Sequence, residues 1–248
     1  MRFMVSTMVG FPAGVKSLDG MSQYTRSTRR RGHAASDHAG LDRFHLAGHS
    51  LGAVVAAAVA GTRPDRVLSL AAHAGWAKTD PWMAFQMDLW IRLARIDGEL
   101  LARLLQVTAM SGATLRGRSE EDFRAAAAGF TAALAGMEEG FIRQSECNIS
   151  VDITALLPRI TAPALIVSST EDRIVPPHHQ RELARLIPGA RLTEVPGGHG
   201  LPFEDPALFT GVLSEFLDAQ REAAAGRVPH TAGGLGGVMP GPTPTSRR

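Results

Sequence analysis

Cysteine is almost missing from this 248-residue chain, with Cys147 standing alone. That excludes an internal disulfide and any metal site built on cysteines, and it makes a reducing, cytoplasmic setting comfortable. A strong charge of either sign is missing too. The formal net charge is +2, too small to argue for a nucleic-acid partner. Arg26, Arg29, Arg30 and Arg31 crowd together and Arg247 and Arg248 end the chain, but a loose arginine run reads as a solvated face rather than a binding patch. No clean apolar run reaches the ~20 residues of a membrane span. Phe44 to Gly61 comes nearest, and His45, His49 and Ser50 interrupt it. Met1 to Gly10 is short and lacks a cleavage pattern, so no secretory signal is expected. There are no internal repeats.

What is present is an ordinary globular composition, 44% hydrophobic and 20% charged, in a length that suits one large domain with an inserted lobe. The organising stretch runs from Phe44 to Ala57. An apolar run ends in Gly48-His49-Ser50-Leu51-Gly52, and a helix of small residues follows at once. Strand, sharp turn, helix is what a G-x-S-x-G nucleophile elbow requires. The turn forces Ser50 into strained backbone angles, and Gly48 and Gly52 make room for it. Alone, the match also describes a glycine-rich turn with a helix-capping serine. The strand before it and the helix after it favour the elbow.

Arg2 to Val9 reads as a strand, and the polar, arginine-rich stretch up to Gly40 as a loop with at most a poor helix. Phe44 to Ala47 is a strand, Ser50 to Ala60 a helix and Arg66 to Ala72 the next strand, which is the crossover unit of a parallel sheet. Helical spacing then takes over. Helices are expected over Pro81–Ile96, Gly98–Ala109, from the cap at Ser119 through Ala135, and over Met137–Cys147. The alternation resumes with a short helix over Asp152–Leu157, a buried strand over Pro163–Ser168, a helix over His178–Ile187, a strand over Arg191–Val195 and an amphipathic helix over Pro206–Ala219. Ten of the last twenty-three residues are glycine or proline, as in a disordered tail.

A serine hydroxyl needs a base, and the base needs an orienting carboxylate. Both should leave the carboxyl ends of strands on the rim that carries Ser50. His199, in Gly197-Gly198-His199-Gly200 after the last strand, is the best base. His49, on the elbow, should point away; His73 lies too near the elbow in sequence; His178 and His179 read as a capping or surface pair. Asp172, in the loop after a buried strand, is the best carboxylate, with Glu171 as its neighbour and competitor. The order Ser50, Asp172, His199 is the one expected for an α/β-hydrolase.

Residues 41–219 resemble the α/β-hydrolase superfamily, in its capped, enol-lactonase-like and small-esterase-like branch. Phe44–Ala57, Ile160–Pro177 and Leu192–Pro202 carry the resemblance. It implies Ser50 as nucleophile, His199 as general base and acid, Asp172 as orienter and the Leu51 N–H as one oxyanion donor. The second donor of such proteins comes from a loop after the third strand. The implied fold is α/β, a mostly parallel sheet with helices on both faces and an inserted helical cap. The core is 1–75 and 149–222, the cap 76–148, and the tail 223–248. Haloalkane dehalogenases of this fold carry aspartate where Ser50 stands, which argues against their chemistry.

The chain departs from the pattern ahead of the elbow, where it is short and has no His-Gly oxyanion loop. Val9–Pro12 is one remnant of such a loop, with the Phe11 N–H as donor. Gly10–Ser17 is alternatively the loop of the following strand, which the distance from Ser17 to Ser50 favours. The N-terminal strands are then missing, and the Ser50 strand has a bare edge. The expected function is a serine hydrolase of a small, largely apolar ester or lactone, its pocket walled by Trp76, Trp82, Phe85, Met87 and Trp90. C–C, amide and perhydrolysis chemistry use the same triad. The rival reading is an impaired or non-catalytic hydrolase-fold protein that binds a ligand or partner. No metal, organic cofactor, nucleic acid or membrane is implied.

Overall fold

The computed structural model describes residues 3–6 and 41–225. Five parallel strands form one sheet whose spatial order is the chain order: β1 (Phe3–Ser6), β2 (Phe44–His49), β3 (Val67–His73), β4 (Ala164–Ser169) and β5 (Arg191–Val195). The two strands β3 and β4 are buried along almost their whole length because both faces are covered. Successive side chains serve opposite faces. Leu70 and Ala72 of β3 and Ala164 and Ile166 of β4 enter the larger core, while Ala71, Leu165 and Val167 enter the smaller one. Helices α1 (Leu51–Thr62) and α7 (Pro177–Leu186) close the first face. Helix α9 (Pro206–Ala225) closes the second through Phe216.

Small residues let α1 lie close on its neighbours. Ala53, Ala56, Ala57, Ala58 and Ala60 are all buried. A Cβ on Gly61 would stand 2.3 Å from the Leu156 carbonyl oxygen.

Five helices lie between β3 and β4: α2 (Pro81–Ile96), α3 (Gly98–Ala109), α4 (Gly112–Arg116), α5 (Glu120–Leu134) and α6 (Glu138–Ile149). Four of the five starts are fixed by side-chain caps, and only α6 begins without one. Asp80, Asp97 and Ser111 each accept backbone N–H groups, and Ser119 with Asp122 forms a complete capping box. Each cap satisfies amides that have no partner inside the helix. Helix α2 packs on α6, and α3 on α5.

Several expectations change. The strand expected over Arg2–Val9 is described as β1, and it pairs along β2 with Ser6 opposite Gly48. The Ser50 strand therefore has a neighbour on the side expected to be bare. Asp152–Leu157 is not a helix: Asp152 bridges antiparallel to Lys78, and only Leu157–Arg159 makes a 3-10 turn. Helices α4 and α8 (Leu201–Glu204) were not expected, being too short to show a period. Helix α9 runs on to Ala225, so residues 223–225 are not tail. The arginine cluster, the helix before Gly40, both candidate oxyanion loops and the tail from 226 lie outside the described residues. No described helix is long and apolar enough to cross a membrane.

Gly61→Ala should destabilise the protein by about 1–3 kcal/mol, because backbone is what its Cβ meets. Gly129→Ala, on an exposed helix face with open space around it, should gain about 0.4–1 kcal/mol. Urea unfolding of the two variants checks the contrast.

Candidate active site

The turn from β2 to α1 presents Ser50 at φ 56°, ψ −127°, a left-handed conformation that costs a non-glycine residue about 1–3 kcal/mol. Two features hold it. The Ser50 N–H donates to the His73 carbonyl at 2.9 Å, tying the turn to the end of β3. Gly48 lies against the first turn of α1, where a Cβ would stand 2.3 Å from the Gly52 carbonyl oxygen. Leu51 opens α1, so its N–H has no acceptor within the helix and stands at the positive end of the helix dipole.

The loops after β4 and β5 bring the other two residues to this rim. His199 Nε2 lies 3.0 Å from Ser50 Oγ, and His199 Nδ1 lies 2.9 Å from Asp172 Oδ2. All three are at most 8% exposed. Asp172 Oδ1 accepts from the Ile174 and Val175 N–H groups at 2.9 and 2.8 Å, which fixes the carboxylate plane. Glu171 turns the other way and accepts the Gly112 N–H at 2.8 Å. The structure thus brings Ser50, His199 and Asp172 together and sends the competitor elsewhere.

The histidines around them differ from expectation. His49 does not point away. Its ring lies 4.9 Å from that of His199 and stacks on His73 at 5.0 Å, with Nδ1 to Nδ1 at 2.9 Å. His73 Nε2 lies 2.9 Å from Ser169 Oγ. The reason is register: His49 and His73 are paired residues on adjacent parallel strands, so their rings leave on the same face. Strand pairing thus sets His73 beside the site. The expected surface pair also divides, with His178 exposed and His179 2% exposed.

Glu204 is a site residue that the sequence reading missed. Its Oε1 accepts from the Gly198 N–H, next to His199, at 2.9 Å. Its Oε2 accepts from the Ser111 N–H at 2.9 Å and the Thr114 hydroxyl at 2.6 Å. Burial alone would raise its pKa; the hydrogen bonds from Ser111, Thr114 and Gly198 prevail and hold it below the usual glutamate value. Its only signal in the sequence is a carboxylate one short turn beyond the His199 loop.

Above the rim is a cavity of about 650 Å³, lined mostly by apolar side chains. Of the five aromatic and methionine residues expected in its wall, Met87 and Trp90 line it. Trp76 is fully buried and donates to Thr79, while Trp82 and Phe85 are 52% and 74% exposed. Leu105, Phe130, Met137 and Phe141 take their place, with Gln106, Gln144 and Asn148 as polar points.

Burial, reinforced by the charge of His199, pushes the His73 pKa down to about 3. Burial, with the charges of His199 and His73, holds His49 well below its ordinary value. The unfolded chain titrates its histidines near 6.5. Between that value and about 3 the unfolded chain binds protons that folded His73 refuses, so acid favours unfolding. Stability should fall as pH drops below about 6.5, with His73 alone contributing a loss of about 2 kcal/mol by about pH 5. Urea melts across this range test it. In His73→Gln that share of the slope should vanish, and an unchanged slope would refute the assignment.

Comparison with known proteins points to the same fold. The family model described as "alpha/beta hydrolase fold" matches residues 21–206. The chain is 29% identical over 206 residues to the pyrrolizixenacetamide deacetylase of Xenorhabdus hominickii, covering 83% of this chain and 77% of that protein. It is 30% identical over 183 residues to the putative carbamate hydrolase RutD of Caulobacter vibrioides, covering 73% and 68%. Among solved structures, the enol-lactonase from Burkholderia xenovorans LB400 superposes with a TM-score of 0.67 at 23% identity, covering 78% of this chain and 73% of that one. Its likeness is one of fold. With its elbow, its parallel sheet and a match over most of its length, the chain belongs to the α/β-hydrolase family.

Proposed function

We propose that this hydrolase cleaves a small, largely apolar acyl substrate through an acyl-enzyme formed on Ser50. The observation that carries the reading is the unbroken relay of 2.9 and 3.0 Å contacts from Asp172 through His199 to Ser50. Ser50 Oγ attacks the carbonyl carbon while His199 Nε2 takes its proton. Asp172 Oδ2 accepts the His199 Nδ1–H and stabilises the imidazolium. The Leu51 N–H donates to the oxyanion, where a single donor contributes about two to three powers of ten in rate. His199 then protonates the leaving group, the C–O or C–N bond breaks, and a water deprotonated by His199 releases the acid.

An ester or lactone is the first reading of the substrate, in keeping with an apolar cavity of about 650 Å³. An amide or carbamate is the second, and it is favoured by the names of the deacetylase and carbamate-hydrolase relatives. Both use the same steps and differ in how much the departing amine needs the His199 proton. A single buried thiol, Cys147, pushed by burial up to about 12, suits a cytoplasmic protein.

Ser50→Ala should lower turnover of a p-nitrophenyl ester by about 10⁴–10⁶-fold, and Asp172→Asn by about 10⁴-fold. A fluorophosphonate should label Ser50 in the folded protein; folded protein that takes no label supports the non-catalytic rival. A matched ester and amide of one apolar acid separates the two substrate readings. Retained kcat/KM on the amide within an order of magnitude of the ester selects the second.

A further inference from the structure

Asp80 stands where the helical insertion leaves the core. It caps α2 with one oxygen only, Oδ1 accepting the Met83 N–H at 2.8 Å. The other oxygen, Oδ2, faces two histidines at the start of α7. It lies 3.2 Å from His179 Nε2 and 3.6 Å from His178 Nε2. The two rings sit side by side, with centroids 4.1 Å apart.

His179 is 2% exposed, yet among the described residues neither ring nitrogen has a hydrogen-bond partner. Its approach to Asp80 is short enough for a hydrogen bond but off line. A buried imidazole left in this way is costly. Donor atoms that come close without pointing at one another are what the ligands of one shared ion look like. Tetrahedral ligands at bond lengths of about 2.0–2.1 Å lie about 3.3 Å apart, and the two distances from Asp80 Oδ2 bracket that value. One ligand atom from each of the three residues falls within 4.8 Å of the others.

We propose that Asp80, His178 and His179 form a binding site for a divalent transition-metal cation, Zn²⁺ being the best fit, which staples the start of α2 to α7. Two imidazoles and one carboxylate suit zinc rather than calcium or magnesium, which want more oxygen ligands. The His178 side chain is 57% exposed, which leaves a water-accessible fourth position. Glu182 lies close enough to add a second negative charge, opposing the unfavourable dipole at the start of α7. The cap at Met83 survives binding because it uses the other oxygen. Gln86 donating to the Ile174 carbonyl at 3.1 Å crosses the same junction, so the ion strengthens an existing seam between insertion and core. Its role is structural and touches no reacting atom.

The test uses the full chain, stripped with EDTA and desalted. Zinc should bind at one equivalent by calorimetry. It should raise the unfolding midpoint by about 5–10 °C at a hundredfold excess over Kd. Cobalt should give the visible absorption of a tetrahedral site. His178→Ala removes an exposed ligand, and Asp80→Asn keeps a capping side chain, so both should fold. Each should weaken zinc binding by more than about tenfold, a loss that even outer-shell changes produce. The proposal is overturned if zinc leaves the midpoint unmoved. It is equally overturned if both variants bind as tightly as the unaltered protein, which places the ion elsewhere, the His49, His73 and His199 group included.

Discussion

Ser50 holds a backbone angle of φ 56° that a residue with a Cβ keeps only when its surroundings insist on it, and here they insist from two sides. The end of β3 takes its N–H, and the first turn of α1 fills the space beside Gly48. Parallel pairing of β2 with β3 is therefore a condition of the elbow as well as of the sheet. The same pairing sets His73 beside His49 and turns the carboxyl ends of β2, β4 and β5 to one rim. Strain stored at one residue is offset by packing spread over three strands and a helix.

The parts legible in the sequence were those in which a local rule and a tertiary need coincide. Gly48 and Gly52 around Ser50 announce the turn because steric clearance acts over two residues. Ser119 announces a helix start because capping acts over three residues. Glycines around His199 announce a loop after a strand. The choice of Asp172 over Glu171 was harder, since adjacent carboxylates differ only in direction, and direction is set by the Ile174 and Val175 amides that hold Asp172.

What escaped the sequence depends on register or on which helical face is covered. His49 and His73 meet through strand pairing, which composition does not reveal. On α2, Met83, Met87 and Trp90 are buried while Trp82, Phe85 and Leu89 are exposed. Both sets are apolar, so residue type could not say which would wall the cavity. The Asp152 stretch carries helix-compatible residues, but its bridge to Lys78 closes the insertion back onto its own start, and tertiary pairing overrides local preference.

Besides the Gln86–Ile174 contact, the insertion meets the catalytic loops at a corner between α3 and α4. Gly200 donates to the Ala109 carbonyl at 2.8 Å and Arg173 to the Val107 carbonyl at 2.7 Å, while Glu171 and Glu204 accept from the Gly112 and Ser111 amides. The Glu171 and Arg173 contacts are exposed and hold little, but Glu204, bound to backbone amides where the seam is part-buried, holds more. Gly198 is pressed so closely there that a Cβ would stand 2.3 Å from the Ala109 carbonyl oxygen. The loops of Asp172 and His199 are thus braced by the cavity's own wall. A motion that lifted this corner would loosen the contacts positioning His199 along with the pocket. Phe130 of α5, Phe141 of α6 and Met137 between the two helices line the same cavity and take no part in that seam.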